Sequence, residues 1–334
     1  MAEKKLFQLI STARCAHRNR LTAEQQQVYD KMVEAAAEHK SSATVRGSIK
    51  GKMKDVFSAV LLDQPFLFDM ERTNLTLSRS IVSTTISWEN RLSDEEAEKY
   101  RIRINEELRR ILAMLPDGGN ALEMERAIHD LIPALGIRRL PSGEGKWWTH
   151  TIVGPLLYKE TVCEGLALLF YVLCLLKGVP CQVITGQGNG RVEGPGPHAW
   201  NLVRLGSQYA HVDAYWDMCL ADGGEKRYDY FNLQDSQIRL DHTWDTAKFP
   251  VCVAERYSWF VRNGAEAGSM DELRQLLDRR FREGEATMRV RFRRPVEREE
   301  LAAVMRDACN SIFHRGIQWD YNDRQRVVTV TVTG

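Results

Sequence analysis

A cysteine, a histidine and an aspartate stand along this chain in the order that acyl transfer by a thiol requires. They are Cys163 in Val-Cys-Glu-Gly-Leu-Ala, His198 in Gly-Pro-His-Ala-Trp-Asn and Asp213 in Ala-His-Val-Asp-Ala-Tyr. That chemistry needs a nucleophile, a base to take its proton, and a third group that holds the base in one tautomer. The intervals, 35 residues from Cys163 to His198 and 15 from His198 to Asp213, suit a helix followed by two adjacent strands that bring the three side chains together.

The local patterns predict those elements. Leu166, Leu168, Leu169, Phe170, Val172, Leu173, Leu175 and Leu176 make an apolar run on every face, ended by Lys177, Gly178 and Pro180. This reads as a buried helix of about four turns with a glycine stop, opened by Cys163. Its unpaired N–H groups and positive pole would stabilise a thiolate there, and could hold an oxyanion when a carbonyl is attacked. Cys181–Ile184 reads as a short strand. Residues 186–197, with five glycines and two prolines in twelve positions, read as a flexible loop. A strand from His198 to Leu205 then turns at Gly206-Ser207 into a second strand, Gln208–Asp213, as a tight hairpin. Pairing about that turn sets Asp213 opposite Ala199 or Trp200, within reach of His198.

Together these segments resemble a known family. Cys-x-Gly-x-Ala-x-x-Phe from Cys163, Gly178-Val179-Pro180-Cys181, His198-Ala199-Trp200-Asn201-x-Val203 and His211-Val212-Asp213-x-x-Trp216-Asp217 are similar to the transglutaminase-like superfamily. The likeness runs outward to Ile128-His129-Asp130, to Tyr230-Phe231-Asn232-Leu233, to Asp241-His242-Thr243-Trp244-Asp245, and to Asp63-Gln64-Pro65 with Leu67-Phe68, covering roughly residues 55 to 255. It implies an α+β fold with a papain-like core, a helix packed on an antiparallel sheet. Residue by residue, it makes Cys163 the nucleophile, His198 the base and Asp213 the orienting acid. The implied reaction is attack on a peptide or side-chain amide of a protein or peptide substrate through a thioester, with no cofactor. Whether water or an amine resolves the thioester separates a protease or deamidase from a transglutaminase, and the motifs leave that open. A chain that kept the fold and lost turnover, acting as an interaction scaffold, is the alternative. Leu166 and Tyr215 depart from the family's usual aromatic and Thr, and Leu135-Gly136-Ile137-Arg138-Arg139 lacks its usual tyrosine and aspartate. No single position matches its upstream oxyanion-stabilising side chain.

Other constellations carry less. Gly186-Gln187-Gly188-Asn189-Gly190 suggests a phosphate loop, but Arg191 follows and no helix opens there. The seven cysteines contain no C-x-x-C pair, which argues against a zinc site. A cysteine inside an apolar helix is usually core, the reading taken for Cys174. His211 and His242 read as packing or hydrogen-bonding residues more readily than as ligands, and Trp147-Trp148 as a cover for the core.

The chain has 334 residues, 43% of them hydrophobic, and 46 Lys plus Arg against 45 Asp plus Glu leave a net charge of +1. That is enough to build real cores and offers no electrostatic basis for nucleic acid or an anionic membrane as partner. The run Arg289–Arg294 reads as a solvated strand face. The first eleven residues are too interrupted for a secretory segment, and no 18-residue apolar run marks a membrane span. Cysteines without framework spacing fit reduced thiols in a cytoplasmic, bacterial protein. Capping boxes at Thr22/Gln25 and Ser93/Glu96 start helices, a further helix ends near Leu62, and Leu75–Leu77 pairs with Ile81–Trp88. At the other end, Met270–Phe281 and Glu297–Phe313 read as helices, Ala286–Phe292 as a strand, and Ile317–Tyr321 with Arg326–Val332 as a hairpin turning at Asn322-Asp323. These divide the chain into an N-terminal accessory region (1–118), a catalytic core (119–262) and a small C-terminal α/β unit (268–334).

Overall fold

The computed structural model describes residues 9–47, 49, 51–141, 144–221 and 225–333, so residues 1–8 of the segment judged non-secretory lie outside it. The chain is α+β, and its N-terminal three-stranded and C-terminal four-stranded sheets are mainly antiparallel. Two compact units divide it: Met1–Ile184 with Ala199–Asn201, and Thr185–His198 with Leu202–Gly334.

In the first unit, Thr22 caps α1 (Ala23–Ala37), and Gln25 completes the reciprocal box. Strands β1 (Ser42–Arg46), β2 (Thr76–Arg79) and β3 (Ser83–Ser87) form an antiparallel sheet in the order β1-β3-β2. Its buried alternate residues Ala43, Val45 and Ile86 meet Val28, Tyr29 and Met32 of α1 and Val56, Phe57 and Val60 of α2 (Met53–Asp63) in one core. Each such aliphatic side chain taken from water contributes about 1.5–3 kcal/mol. The second predicted box is also present, Ser93 and Glu96 capping α3 (Asp94–Leu112), which buries Ala97, Ile104, Leu108 and Ile111 along one stripe. Helix α4 (Ala121–Leu131) follows, and β4 (Arg138–Arg139) pairs in parallel with β5 (Glu160–Thr161).

Helix α5 (Cys163–Leu176) opens on Cys163 and is buried continuously from Gly165 to Cys174. Its end closes as the glycine predicts. Gly178 takes φ +78°, its N–H bonds the Leu175 carbonyl, and Val179 N–H reaches back to Cys174 O at 2.8 Å. Gly165 has a different reason to be glycine, because a Cβ there would lie 2.2 Å from the Thr149 carbonyl oxygen. Asn201 belongs to this unit and donates through Nδ2 to Ala167 O at 3.0 Å.

The five-stranded sheet runs in the order β10-β6-β7-β8-β9, where β6 is Cys181–Gly188, β7 Gly196–Leu205, β8 Gln208–Val212, β9 Phe231–Leu233 and β10 His242–Thr243. The hairpin turns at Gly206-Ser207, with Gly206 at φ +64°, a conformation that side chains resist. Asp213 does not extend β8. It caps α6 (Ala214–Leu220), a helix hidden in the sequence behind aromatic residues that favour strands. Short helices α7 (Asp235–Ile238) and α8 (Trp259–Arg262) lead to the last sheet, β11-β12-β14-β13, formed by Glu266–Ala267, Thr287–Phe292, Val327–Thr333 and Gly316–Asn322.

Helices α9 (Met270–Arg282) and α10 (Arg298–Ala308) cover this sheet over Leu273, Leu277, Val290, Leu301 and Val330. Three expectations change in this region. The second helix stops at Ala308 and a single π turn carries the chain to His314, which takes a left-handed conformation. The final hairpin turns over residues 323–326, because Asn322 still pairs with Val327, and both Asn322 and Gln325 are buried. Arg291 is also buried rather than solvated. It lies over the Phe260 ring at 4.2 Å and donates through Nη2 to Asp229 O at 2.9 Å.

Candidate functional site

Cys163 is a half-buried free thiol at the first position of α5, and the residue before it, Val162, offers no side-chain cap. Glu164 beside it accepts from Arg72 Nη1 and lies 3.3 Å from His150 Nδ1, while Arg72 Nη2 donates to His150 O at 2.9 Å. Burial works to raise the Glu164 pKa, but Arg72 and His150 outweigh it and hold the carboxyl below its usual range. The first turn thus carries an anion at the helix's positive end. Trp147 and Trp148, read as a core cover, form an aromatic group in the same unit. Trp148 stacks on Tyr158 at 4.6 Å, and Tyr100 meets Trp147 edge-on.

His198 and Asp213, both in the second unit, are brought together. His198 Nε2 lies 2.6 Å from Asp213 Oδ2, with both side chains all but sealed from water. Asp213 satisfies two readings at once: Oδ1 accepts the backbone N–H of Tyr215 and Trp216, each at 3.1 Å, while Oδ2 faces the imidazole. Burial opposes the ionised form of Asp213. His198 and His242 overcome that and bring its pKa well below the ordinary carboxylate value.

Trp216 lies over the His198 ring, and this explains the glycines that read as a flexible loop. A Cβ on Gly188 or Gly190 would come within 2.8 or 2.6 Å of the Trp216 ring. Gly188 belongs to β6 and pairs with His242. Close packing, and not mobility, requires glycine at these two positions.

A second imidazole meets the same carboxylate; the sequence reading gave it packing or hydrogen bonding without naming the partner. His242 Nε2 lies 3.2 Å from Asp213 Oδ2 and its Nδ1 lies 2.7 Å from Asp241 Oδ1. Asp241 in turn accepts from the Tyr230 hydroxyl at 2.8 Å and from Gln325 Nε2 at 3.0 Å. The only sequence signal for this chain of contacts is the dipeptide Asp241-His242, 28 and 29 residues beyond Asp213.

His198, Asp213 and His242 come close enough together to suit an ion, and so do His211, Asp235 and Cys252. Hydrogen bonds account for both groups. Two backbone N–H groups and two imidazole nitrogens surround the Asp213 carboxylate. Asp235 Oδ1 accepts from His211 Nε2 at 2.9 Å and from Cys252 N–H at 3.2 Å, a staple between strand and loop.

Comparison with known proteins adds to this geometry. Residues 119–214, a segment holding Cys163, His198 and Asp213, match the profile described as the transglutaminase-like superfamily. The chain is 35% identical over 71 residues to the kyphoscoliosis peptidase of Homo sapiens, a match spanning 19% of this chain and 11% of that protein's length. Among solved structures, a candidate cysteine protease from Cytophaga hutchinsonii is 16% identical with a TM-score of 0.29, covering 41% of this chain and 55% of that one. A structure described as a TGase is 10% identical with a TM-score of 0.32, covering 70% of this chain and 66% of the other. Among the described residues, no helix is long and apolar enough to cross a membrane.

Proposed function

From the transglutaminase-like domain of residues 119–214, we propose that this protein performs thiol-dependent acyl transfer or hydrolysis on peptide or side-chain amides. Cys163 is the nucleophile, His198 the base and Asp213 the orienting acid. The observation that carries this reading is the buried His198–Asp213 hydrogen bond of 2.6 Å, with the acid itself clamped by the start of α6. An aspartate so fixed cannot swing away, and it selects the tautomer with a proton on Nε2.

With Nε2 engaged by Asp213, proton exchange with the thiol falls to Nδ1. The Cys163 sulfur bonds to the amide carbon while the proton goes to His198, and backbone N–H groups at the head of α5 stabilise the oxyanion. The carbon–nitrogen bond then breaks, His198 returns the proton to the leaving amine, and a thioester remains. Water releases an acid and an amine acceptor a new amide, with Cys163 restored in either case.

All seven cysteines are free thiols, which supports a reducing, cytoplasmic setting for this chemistry. The test is single-turnover acylation by a peptide thioester or activated amide, followed by mass spectrometry of the protein and of products formed with and without an added amine. A thioester on Cys163 is expected. Absence of any adduct on a folded chain would leave the protein as a scaffold.

A further inference from the structure

We propose that His242 is held as an imidazolium at neutral pH, shares Asp213 with His198 and thereby sets the pH at which His198 accepts a proton; its second half rests on the thiol-enzyme reading above. His242 is fully buried, and each ring nitrogen faces a carboxylate oxygen: Asp241 Oδ1 at 2.7 Å and Asp213 Oδ2 at 3.2 Å. An ionised carboxylate only accepts hydrogen bonds.

The other neighbours of both acids are donors. Asp241 is met by the Tyr230 hydroxyl and by Gln325 Nε2, and Asp213 by two backbone N–H groups and His198. With both carboxylates ionised, each of these contacts joins a donor to an acceptor, and both nitrogens of His242 then carry hydrogen, which makes the ring a cation. Burial alone would lower the His242 pKa, but the two carboxylates outweigh it and raise it above the ordinary histidine value.

The charge balance follows. With His198 neutral, two carboxylates and one imidazolium leave one net negative charge in a closed site, and without the His242 proton they would leave two. The His242 ring centre lies 5.2 Å from that of His198, close enough to oppose a second positive charge there. Asp213 alone would pull His198 strongly toward the protonated state, and His242 restrains that pull so that His198 can serve as a base. Around His242 the ionisable groups are Asp213 at the head of α6, Asp241 beside it, His198 on β7 and Tyr230 before β9, with His211, already paired to Asp235, feeling its charge from β8. Gln325 holds Asp241 from the final hairpin. The C-terminal sheet thus reaches the candidate acid through Gln325, Asp241 and His242.

Nitrogen-15 NMR of the imidazoles in the full chain tests the charge directly. His242 should keep protons on both nitrogens above the ordinary histidine midpoint of about 6.5. A singly protonated His242 at neutral pH would overturn the proposal. His242→Gln keeps a donor toward Asp213 but removes the charge, so the His198 midpoint, and with it the acid limb of Cys163 acylation, should rise by about 1 pH unit. An unmoved His198 midpoint in the folded variant would refute the coupling. The wild-type spectrum decides the charge even where the variant does not fold. A doubly protonated His242 in a chain that forms no acyl adduct would support the cation while removing the enzymatic reading.

Discussion

Trp216 lies nearly flat on His198, with ring centres 4.4 Å apart and planes 26° from parallel. The indole also touches the His242 ring at 4.3 Å and is 1% exposed, so it sets the tilt of both imidazoles that meet Asp213. An aromatic plate of this kind limits imidazole motion by packing, independently of the hydrogen bonds that fix the ring nitrogens.

Gly190→Ala should therefore be felt at the candidate base. The added methyl would lie 2.6 Å from two Trp216 ring atoms, a conflict the buried ring cannot relieve cheaply. Destabilisation of about 1–3 kcal/mol is expected in urea melts. Gly194→Ala, where nothing lies within 4 Å of the new carbon, should stay within about 0.5 kcal/mol of the parent and serves as the control. Equal stabilities for the two variants would show that the ring has room to move.

Cys163→Ala should abolish acylation, whereas Asp213→Asn should slow it roughly 10–10³-fold in a folded protein. Asparagine can keep the cap on α6 through Oδ1 but presents no charge to the imidazole. Stopped-flow acylation beside thermal melts measures both effects, and a wild-type rate in folded Asp213→Asn would remove Asp213 from its assigned role.

Alkylation should sort the thiols by burial. Burial pushes Cys15 up to about 11 and raises Cys174 and Cys252 further above the ordinary thiol value, so all three should resist iodoacetamide in the native state. Cys163, Cys219 and Cys309 are only half-buried, and Cys163 should label first at mildly acidic pH. Peptide mapping after limiting reagent would reveal the order, and faster labelling at Cys219 or Cys309 would count against a poised nucleophile.

Stability should pass through a plateau in mild acid. The Asp213 pKa is depressed in the fold, so its contribution is in place above about pH 4 and is lost as pH falls toward the folded value. The His242 pKa is raised, so its contribution is in place below about pH 6.5 and is lost as pH climbs through the folded value. Urea midpoints measured from pH 3 to 9 should fall on both sides of that window. Asp213→Asn should flatten the acid side and His242→Gln the alkaline side; parallel curves for parent and variants would contradict both assignments.

What the sequence made legible is local. The boxes Thr22/Gln25 and Ser93/Glu96, the glycine that closes α5 and the two-residue turn at Gly206-Ser207 are each written within a few residues, and each forms as read. The His198–Asp213 bond was readable because that turn fixes the relation between neighbouring strands. His242, Asp241 and Gln325 were not readable, because they meet across 29 and 84 residues with no shared period or spacing. Arg291 and the glycines at 188 and 190 misled for a related reason: charge suggests solvent and glycine suggests mobility until the buried partner is known.

Asp229 shows what joins the two sheets of the second unit. Its buried carboxylate takes a two-pronged bond from Arg227 and a third from Asn322 of the last hairpin, while Arg291 of β12 holds its carbonyl. Parting the sheets would take Asn322 from the Asp229 carboxylate and leave the buried Arg291 guanidinium without the Asp229 carbonyl, and each buried polar group left unpaired costs about 1–3 kcal/mol, more when it is charged. The C-terminal sheet, despite having its own apolar core, is thereby expected to melt together with the strand that carries His198 and the helix that Asp213 caps, in one cooperative step.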